Sequence, residues 1–190
     1  MVTPVSANSG VDQKGFATVA RTRIGSPYVI AGMEALAGEK VVGYEPNGGF
    51  LLGFETLGLA PLLTRDSFLP IVVPLLAAGG GSLADRAARE PAVFTASDRL
   101  QEVPTEESAA FVATLTTDEA ARAAFLSDLG ETKEALDLTD GLRISLRGGR
   151  VAHVRPSGNA PELRFYAEAE SREAARELLA KGLATLRRTF

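Results

Sequence analysis

Hydrophobic and polar positions alternate with period two in the second half of the chain. Leu142, Ile144 and Leu146 interleave with Arg143, Ser145 and Arg147; Leu163, Phe165, Ala167 and Ala169 interleave with Arg164, Tyr166, Glu168 and Glu170. That period predicts strands with one buried face. Gly148-Gly149 reads as a two-residue hairpin turn, with residues 150–155 returning as a further strand. After Ser171 the period becomes helical: Ala175, Leu178, Leu179 and Leu183 fall on one side, with Ser171 as cap. Upstream, Thr105-Glu106-Glu107 and Thr116-Thr117-Asp118-Glu119 each set a hydroxyl before acidic residues, and Thr116 with Glu119 has capping-box spacing. Two helices, around residues 106–113 and 118–126, are expected there. The sum is a small antiparallel sheet with helices, an α+β domain over residues 93–190.

The first half has a different rhythm. Residues 3–8 read as a short strand. Ser26 and Pro27 then open a helix that carries Val29, Ile30, Met33, Leu36 and Ala37 at spacings of three and four, ending at Gly38. Residues 40–43 form a strand running into the loop Gly43-Tyr44-Glu45-Pro46-Asn47-Gly48-Gly49, and residues 50–54 a further strand or buried segment. Asp66 can cap a helix over residues 67–78, where Pro70 suits the first turn but Pro74 should kink or stop it. This alternation predicts an α/β layer with parallel strands. It reads as an incomplete three-layer α/β unit over residues 1–80, because it opens on a strand with nothing before it to cover the other edge. Gly79-Gly80-Gly81 and Pro91 bracket a short helical piece from Ser82, so residues 81–92 form a linker.

Composition narrows the function. The longest apolar run, Leu69–Ala78, is broken by two prolines and is shorter than the roughly 20 residues of a membrane span, so no membrane partner is expected. Residues 1–6 carry neither a basic start nor a long apolar stretch, which points to the cytoplasm. Zero cysteines exclude disulfides, thiolate catalysis and cysteine-ligated metals; a single histidine disfavours histidine cages and triads. His153 itself reads as a structural histidine in a half-buried strand. A net charge of −4 argues against nucleic acid, yet residues 142–166 hold five arginines against Glu162 alone. An anion would go there.

Within that stretch lies Arg155-Pro156-Ser157-Gly158-Asn159-Ala160-Pro161-Glu162. Gly158 lets backbone N–H groups approach an anion, Ser157 and Asn159 add donors, Arg155 offers a bidentate clamp, and Arg164 follows in the next strand. The same residues also make an ordinary β-turn with solvated arginines, so local chemistry leaves both readings open. In the first half, Glu45 and Asn47 could bind hydroxyls or simply build a Gly-rich turn. Arg21-Thr22-Arg23-Ile24-Gly25 precedes a helix N-terminus, which suits an anion or merely starts the helix.

Taken together, these segments resemble the phosphohexomutases of the phosphomannomutase/phosphoglucomutase family. Arg155 to Pro161 with Arg164 resembles the phosphate loop of the family's last domain, R-P/A-S-G-T-E-P, with Asn159 for Thr and Ala160 for Glu. The loop at 43–49 is similar to the family's sugar loop, G-G-E-M-S-G-H, departing at Pro46, Asn47 and Gly49; residues 21–25 are similar to R-T-x-V-G. The resemblance implies the end of the third domain followed by the fourth, TATA-box-binding-protein-like domain. It implies that Glu45 and Asn47 read the sugar hydroxyls O3 and O4, that Arg155, Ser157, Gly158, Asn159 and Arg164 hold the non-reacting phosphate, and that Arg21 and Gly25 are possible further contacts. The family's serine motif T-A-S-H-N-P and magnesium motif D-G-D-G-D-R do not occur. No catalytic or metal-binding residue is therefore expected. The resemblance makes Mg2+ a cofactor of the intact enzyme and none of this chain alone, with mannose or glucose phosphate, a bisphosphosugar intermediate and the enzyme's N-terminal domains as partners. The alternatives are a stand-alone, non-catalytic phosphosugar-binding or regulatory module, or an interaction protein.

Overall fold

The computed structural model describes every residue except Ala37, so the part of the first-helix pattern resting on Ala37 lies outside the described residues. Two compact units are present, Met1–Pro91 and Ala92–Phe190. Each has its own five-stranded sheet.

In the first unit, strands β1 (Val2–Pro4), β2 (Ala20–Thr22), β3 (Val42–Tyr44), β4 (Phe50–Leu52) and β5 (Leu62–Asp66) lie in the order β2-β1-β3-β4-β5. β1 is parallel to both neighbours, whereas β3, β4 and β5 pair antiparallel, so the sheet is mixed rather than parallel. The tight turn after Tyr44 can only return the chain antiparallel. β1 is also shorter than the expected 3–8 strand, and it is interior. β2, which carries no alternation to announce it, covers the edge expected to be open.

Helix α1 (Ser26–Glu34) packs on this sheet, burying Val29 and Met33 against Val2, Val41 and Leu51. Gly25, not Ser26, is its N-cap. The Ser26 hydroxyl is used elsewhere. Helix α2 (Leu69–Ala78) does not stop at Pro74, which lies inside it. None of its residues is buried, so water can satisfy the carbonyl that Pro74 leaves without a donor. Its N-cap is Phe68, not Asp66, and carries no side-chain cap; from two positions upstream the Asp66 carboxylate accepts from the N–H groups of Phe68 (2.7 Å) and Leu69 (3.4 Å). Ser82 caps the short helix α3 (Leu83–Ala87).

The second unit is an antiparallel sheet of β6 (Phe94–Gln101), β7 (Lys133–Asp137), β8 (Leu142–Leu146), β9 (Val151–Pro156) and β10 (Glu162–Ala169), in the order β6-β10-β9-β8-β7. Helices α4 (Thr105–Thr117), α5 (Glu119–Leu129) and α6 (Arg172–Thr189) share one core with Leu142, Ile144, Leu163 and Phe165. The expected capping box at Thr116 does not form. Thr116 lies inside α4, its hydroxyl donating to the Val112 carbonyl, while Asp118 ends α4 and caps α5 by accepting from Ala120 and Ala121. A carboxylate that serves two orphan N–H groups outcompetes a hydroxyl. The β8–β9 turn spans three residues, Arg147 to Gly149, because the Leu146 N–H pairs with the Arg150 carbonyl at 2.8 Å.

The opposite face of this sheet carries a buried polar layer. Arg143 pairs with Glu168 at 3.7 Å across β9. His153 is 1% exposed, donates through Nε2 to the Asp140 carbonyl at 2.7 Å and stacks on Tyr166 with ring centroids 5.2 Å apart. Its structural reading agrees with this geometry.

Two outcomes are expected. On the apolar face, a Cβ on Gly182 of α6 would lie 2.4 Å from the Phe165 ring, which is fully buried. Gly182→Ala should gain about 1 kcal/mol of helix propensity and lose about 1–3 kcal/mol to overpacking. The net result should be a lower urea midpoint for this unit; a higher one would contradict the packing. On the polar face, burial pushes His153 down to about 4, helped by the charges of Arg143 and Arg155 and opposed by the carbonyl and charge of Asp140. With the folded value below the unfolded one, its contribution is full above about pH 6.5 and is lost as pH falls towards 4. About 2–3 kcal/mol should disappear between pH 7 and 4.5, read from urea unfolding followed by NMR signals of β9 and β10. His153→Gln should flatten that slope; an unchanged slope would exclude the histidine as its source.

Candidate functional site

The β9–β10 hairpin builds the phosphate-loop candidate. Arg155 near the end of β9 stands directly opposite Arg164 on β10, on the same sheet face. Between them the chain turns through a closed backbone: the Ser157 N–H donates to the Glu162 carbonyl (2.8 Å), Glu162 N–H to Ala160 (2.8 Å), and Val103 N–H to Pro161 (3.1 Å). Ser157 is buried and its Oγ accepts weakly from the Asn159 N–H at 3.4 Å, while Gly158 and Asn159 are exposed. Backbone bonds to Glu162 and Ala160 thus brace the loop. A Cβ on Gly158 would meet no atom within 4 Å, so the space above the loop is open.

Both arginines are held by carboxylates. Arg155 Nε lies 3.0 Å from Asp140 Oδ2, and Arg164 Nη2 lies 3.2 Å from Glu162 Oε2. A guanidinium carries five N–H donors, so one such pairing orients the fork without exhausting it. Asp140 therefore does two jobs: its carbonyl accepts from His153 Nε2, and its carboxylate forms an ion pair with Arg155. Gly141 beside it has φ +77°, and a Cβ there would come within 2.5 Å of the Val154 carbonyl and 2.9 Å of Arg155 Cβ. Only glycine lets the chain pass so close under Arg155. Neither residue carries a signal in sequence, because both depend on strand register.

In the first unit, Glu45 to Gly49 forms a tight turn between β3 and β4, closed by Glu45 N–H to Gly49 O (2.8 Å) and Gly48 N–H to Glu45 O (3.0 Å). Asn47 is exposed, and its Oδ1 accepts from the Gly49 N–H at 3.2 Å. Glu45 is 5% exposed. Its Oε2 accepts from the Ser26 hydroxyl at 2.7 Å and lies 3.3 Å from Arg65 Nε. A buried carboxylate needs such partners. Gly49 permits the arrangement, since a Cβ there would sit 2.9 Å from Arg65 Nε. The helix α1 N-terminus with Gly25 is thereby tied to the Glu45 loop through Ser26. Ser26 and Arg65 were missed as site neighbours; the cap and helix-start patterns around them explained both without reference to Glu45.

Arg21 is engaged elsewhere. Its guanidinium donates to the Ala7 carbonyl and to Asp12, both at 2.8 Å, bracing the segment after β1. Among the described residues no group of three or more His, Asp or Glu side chains is placed to hold a metal ion. Nor is any described helix long and apolar enough to cross a membrane.

Residues 96–183 match the family model for the phosphoglucomutase/phosphomannomutase C-terminal domain. The chain is 43% identical to a phosphomannomutase of Sinorhizobium fredii, over 98% of this chain and 41% of the relative. It is 41% identical to a phosphomannomutase of Salmonella muenchen, over 90% and 37%. The chain thus spans about two fifths of the length of these relatives. Among solved structures, a phosphoglucomutase/phosphomannomutase family protein of Burkholderia thailandensis superposes with a TM-score of 0.69 at 17% identity, covering 98% of this chain and 36% of that one. An Aspergillus fumigatus N-acetylphosphoglucosamine mutase, solved with GlcNAc-6P and magnesium, gives 0.61 at 15% identity over 98% and 38%. The mixed α/β fold with two sheets is therefore that of phosphohexomutases. The chain is a C-terminal part of a phosphohexomutase, with the phosphoglucomutase/phosphomannomutase C-terminal domain over residues 96–183.

Proposed function

We propose that the intact protein interconverts hexose 1-phosphates and hexose 6-phosphates, and that this chain supplies the grip on the substrate. Glu45 and Asn47 bind sugar hydroxyls. Arg155, Ser157, Gly158, Asn159 and Arg164 bind the phosphate that is not being transferred. One observation carries this reading: the β9–β10 hairpin sets two arginines directly opposite one another beside a turn in which Gly158 and Asn159 are exposed and Ser157 is buried. Such a pairing of planar donors with backbone N–H groups fits a phosphate monoester.

A division of labour follows. Holding the distal phosphate and the ring hydroxyls lets the sugar present either end to a phosphoryl donor elsewhere in the protein, with orientation as this chain's contribution. Phosphoryl transfer and its Mg2+ belong to the remaining three fifths; the chain alone binds without turnover. The substrate class is mannose or glucose phosphate, with a bisphosphosugar intermediate, handled in the cytoplasm. In support, the relatives named phosphomannomutase align over almost all of this chain, and the Aspergillus fumigatus mutase was solved with glucose 1,6-bisphosphate.

A second reading, an interaction surface, draws on α2, whose Ile71 and Leu76, with Phe68 just before it, are 62%, 74% and 75% exposed. It is compatible with the first, because the two features are different parts of the chain.

A charge-assisted arginine contact contributes about 1.5–3 kcal/mol, so Arg155→Ala should weaken mannose 6-phosphate binding about 10- to 150-fold by titration calorimetry. An unchanged affinity in a folded variant would remove the assignment.

A further inference from the structure

The arginine pair of the hairpin is part of a longer row. β6 pairs with β10 on the side away from β9, and its Arg99 stands directly opposite Arg164. Arg155, Arg164 and Arg99 therefore line up across three adjacent strands on one face, with strands spaced about 4.8 Å apart. Like charges directly opposite one another destabilise a sheet, so the row requires counter-charge.

Two carboxylates provide it unequally. Asp140 takes Arg155 at 3.0 Å. Glu162 is shared: Oε1 lies 3.1 Å from Arg99 Nε, and Oε2 lies 3.2 Å from Arg164 Nη2. Its side chain is only 13% exposed, whereas those of Arg99 and Arg164 are 50% and 35% exposed. Both arginines border a surface depression of about 250 Å3, with Ser97, Asp98 and Tyr166 as the other lining residues. Asp98 directs Oδ1 to the Arg99 backbone N–H at 2.8 Å.

One anion whose two oxygens each engage a different arginine has the geometry with which a phosphate would bridge the same pair. Glu162 also sits at the loop's end, its carbonyl receiving the Ser157 N–H. We propose that Arg99 is a third arginine of the phosphate site, and that the Glu162 carboxylate is an internal anion holding the place of the phosphate and competing with it. The inference rests on the reading of the β9–β10 loop as a phosphate site. When the phosphate engages Arg99 and Arg164, Glu162 turns out to solvent. No bond is made or broken. The consequence is a tuned grip: three arginines would hold a dianion tightly, and the competing carboxylate keeps it releasable, as a substrate that must be turned around requires.

The test is titration of the full chain with mannose 6-phosphate at fixed ionic strength, for wild type, Glu162→Gln, Arg99→Ala, the double variant and Arg155→Ala, with circular dichroism to confirm folding. Glu162→Gln should bind about 3- to 10-fold more tightly and Arg99→Ala about 3- to 10-fold more weakly. In the double variant the gain from Glu162→Gln should shrink, because one of the two cations it frees is gone. Should Arg99→Ala fail to fold, Arg99→Gln replaces it. Glu162→Gln binding no tighter while Arg155→Ala binds more weakly would overturn the competition and leave the phosphate loop standing. Arg155→Ala without effect would overturn the loop reading and this inference with it.

Discussion

The second unit depends on the pairing of β10 with β9 and β6 along nearly its whole length. Because a strand's side chains alternate, this one register sends Leu163, Phe165 and Ala167 into the core under α6 and sends Arg164, Tyr166 and Glu168 to the other face. A one-residue slip would exchange the two sets, burying arginine in the apolar layer. The apolar core and the arginine-bearing face are thus two outcomes of one hydrogen-bond ladder. The close fit of Gly182 against Phe165 holds α6 on the apolar side and with it the register.

The polar face shows how a sheet can carry cations without repelling itself. Each arginine there has an acid within reach: Arg143 has Glu168, Arg155 has Asp140, and Arg99 and Arg164 share Glu162. Neutral His153 sits between the charged pairs, its Nε2 proton fixed on the Asp140 carbonyl. The first unit follows the same rule with opposite sign. There a carboxylate, Glu45, is the buried group, and Ser26 and Arg65 satisfy it. Holding a charged side chain by fixed partners removes its rotamer freedom, and under the proposed function this lowers the entropy cost of binding.

Much of this was legible beforehand. β8, β9, β10 and α6 announce themselves by clean periods, and the loop between Arg155 and Arg164 by its donors. β6 and β7 do not, since they are edge strands whose exposed, charged positions blur the alternation. Thr116 misled because a local spacing rule knows nothing of a stronger competitor two residues on. Pro74 does not end α2, because its cost depends on exposure, which only the fold decides. The site divides in the same way: its donors are written in short segments, whereas Asp140, Gly141, Ser26 and Arg65 reach it only through register and tertiary approach.

The central claim is that phosphosugars are gripped at the end of the β9–β10 hairpin. Amide NMR mapping of the full chain with mannose 6-phosphate addresses it most directly. The account predicts saturable shifts concentrated on the Gly158 and Asn159 amides and on the side-chain Nε–H signals of Arg155 and Arg164. Shifts confined to other regions, or none at these four residues at saturating ligand, would contradict it.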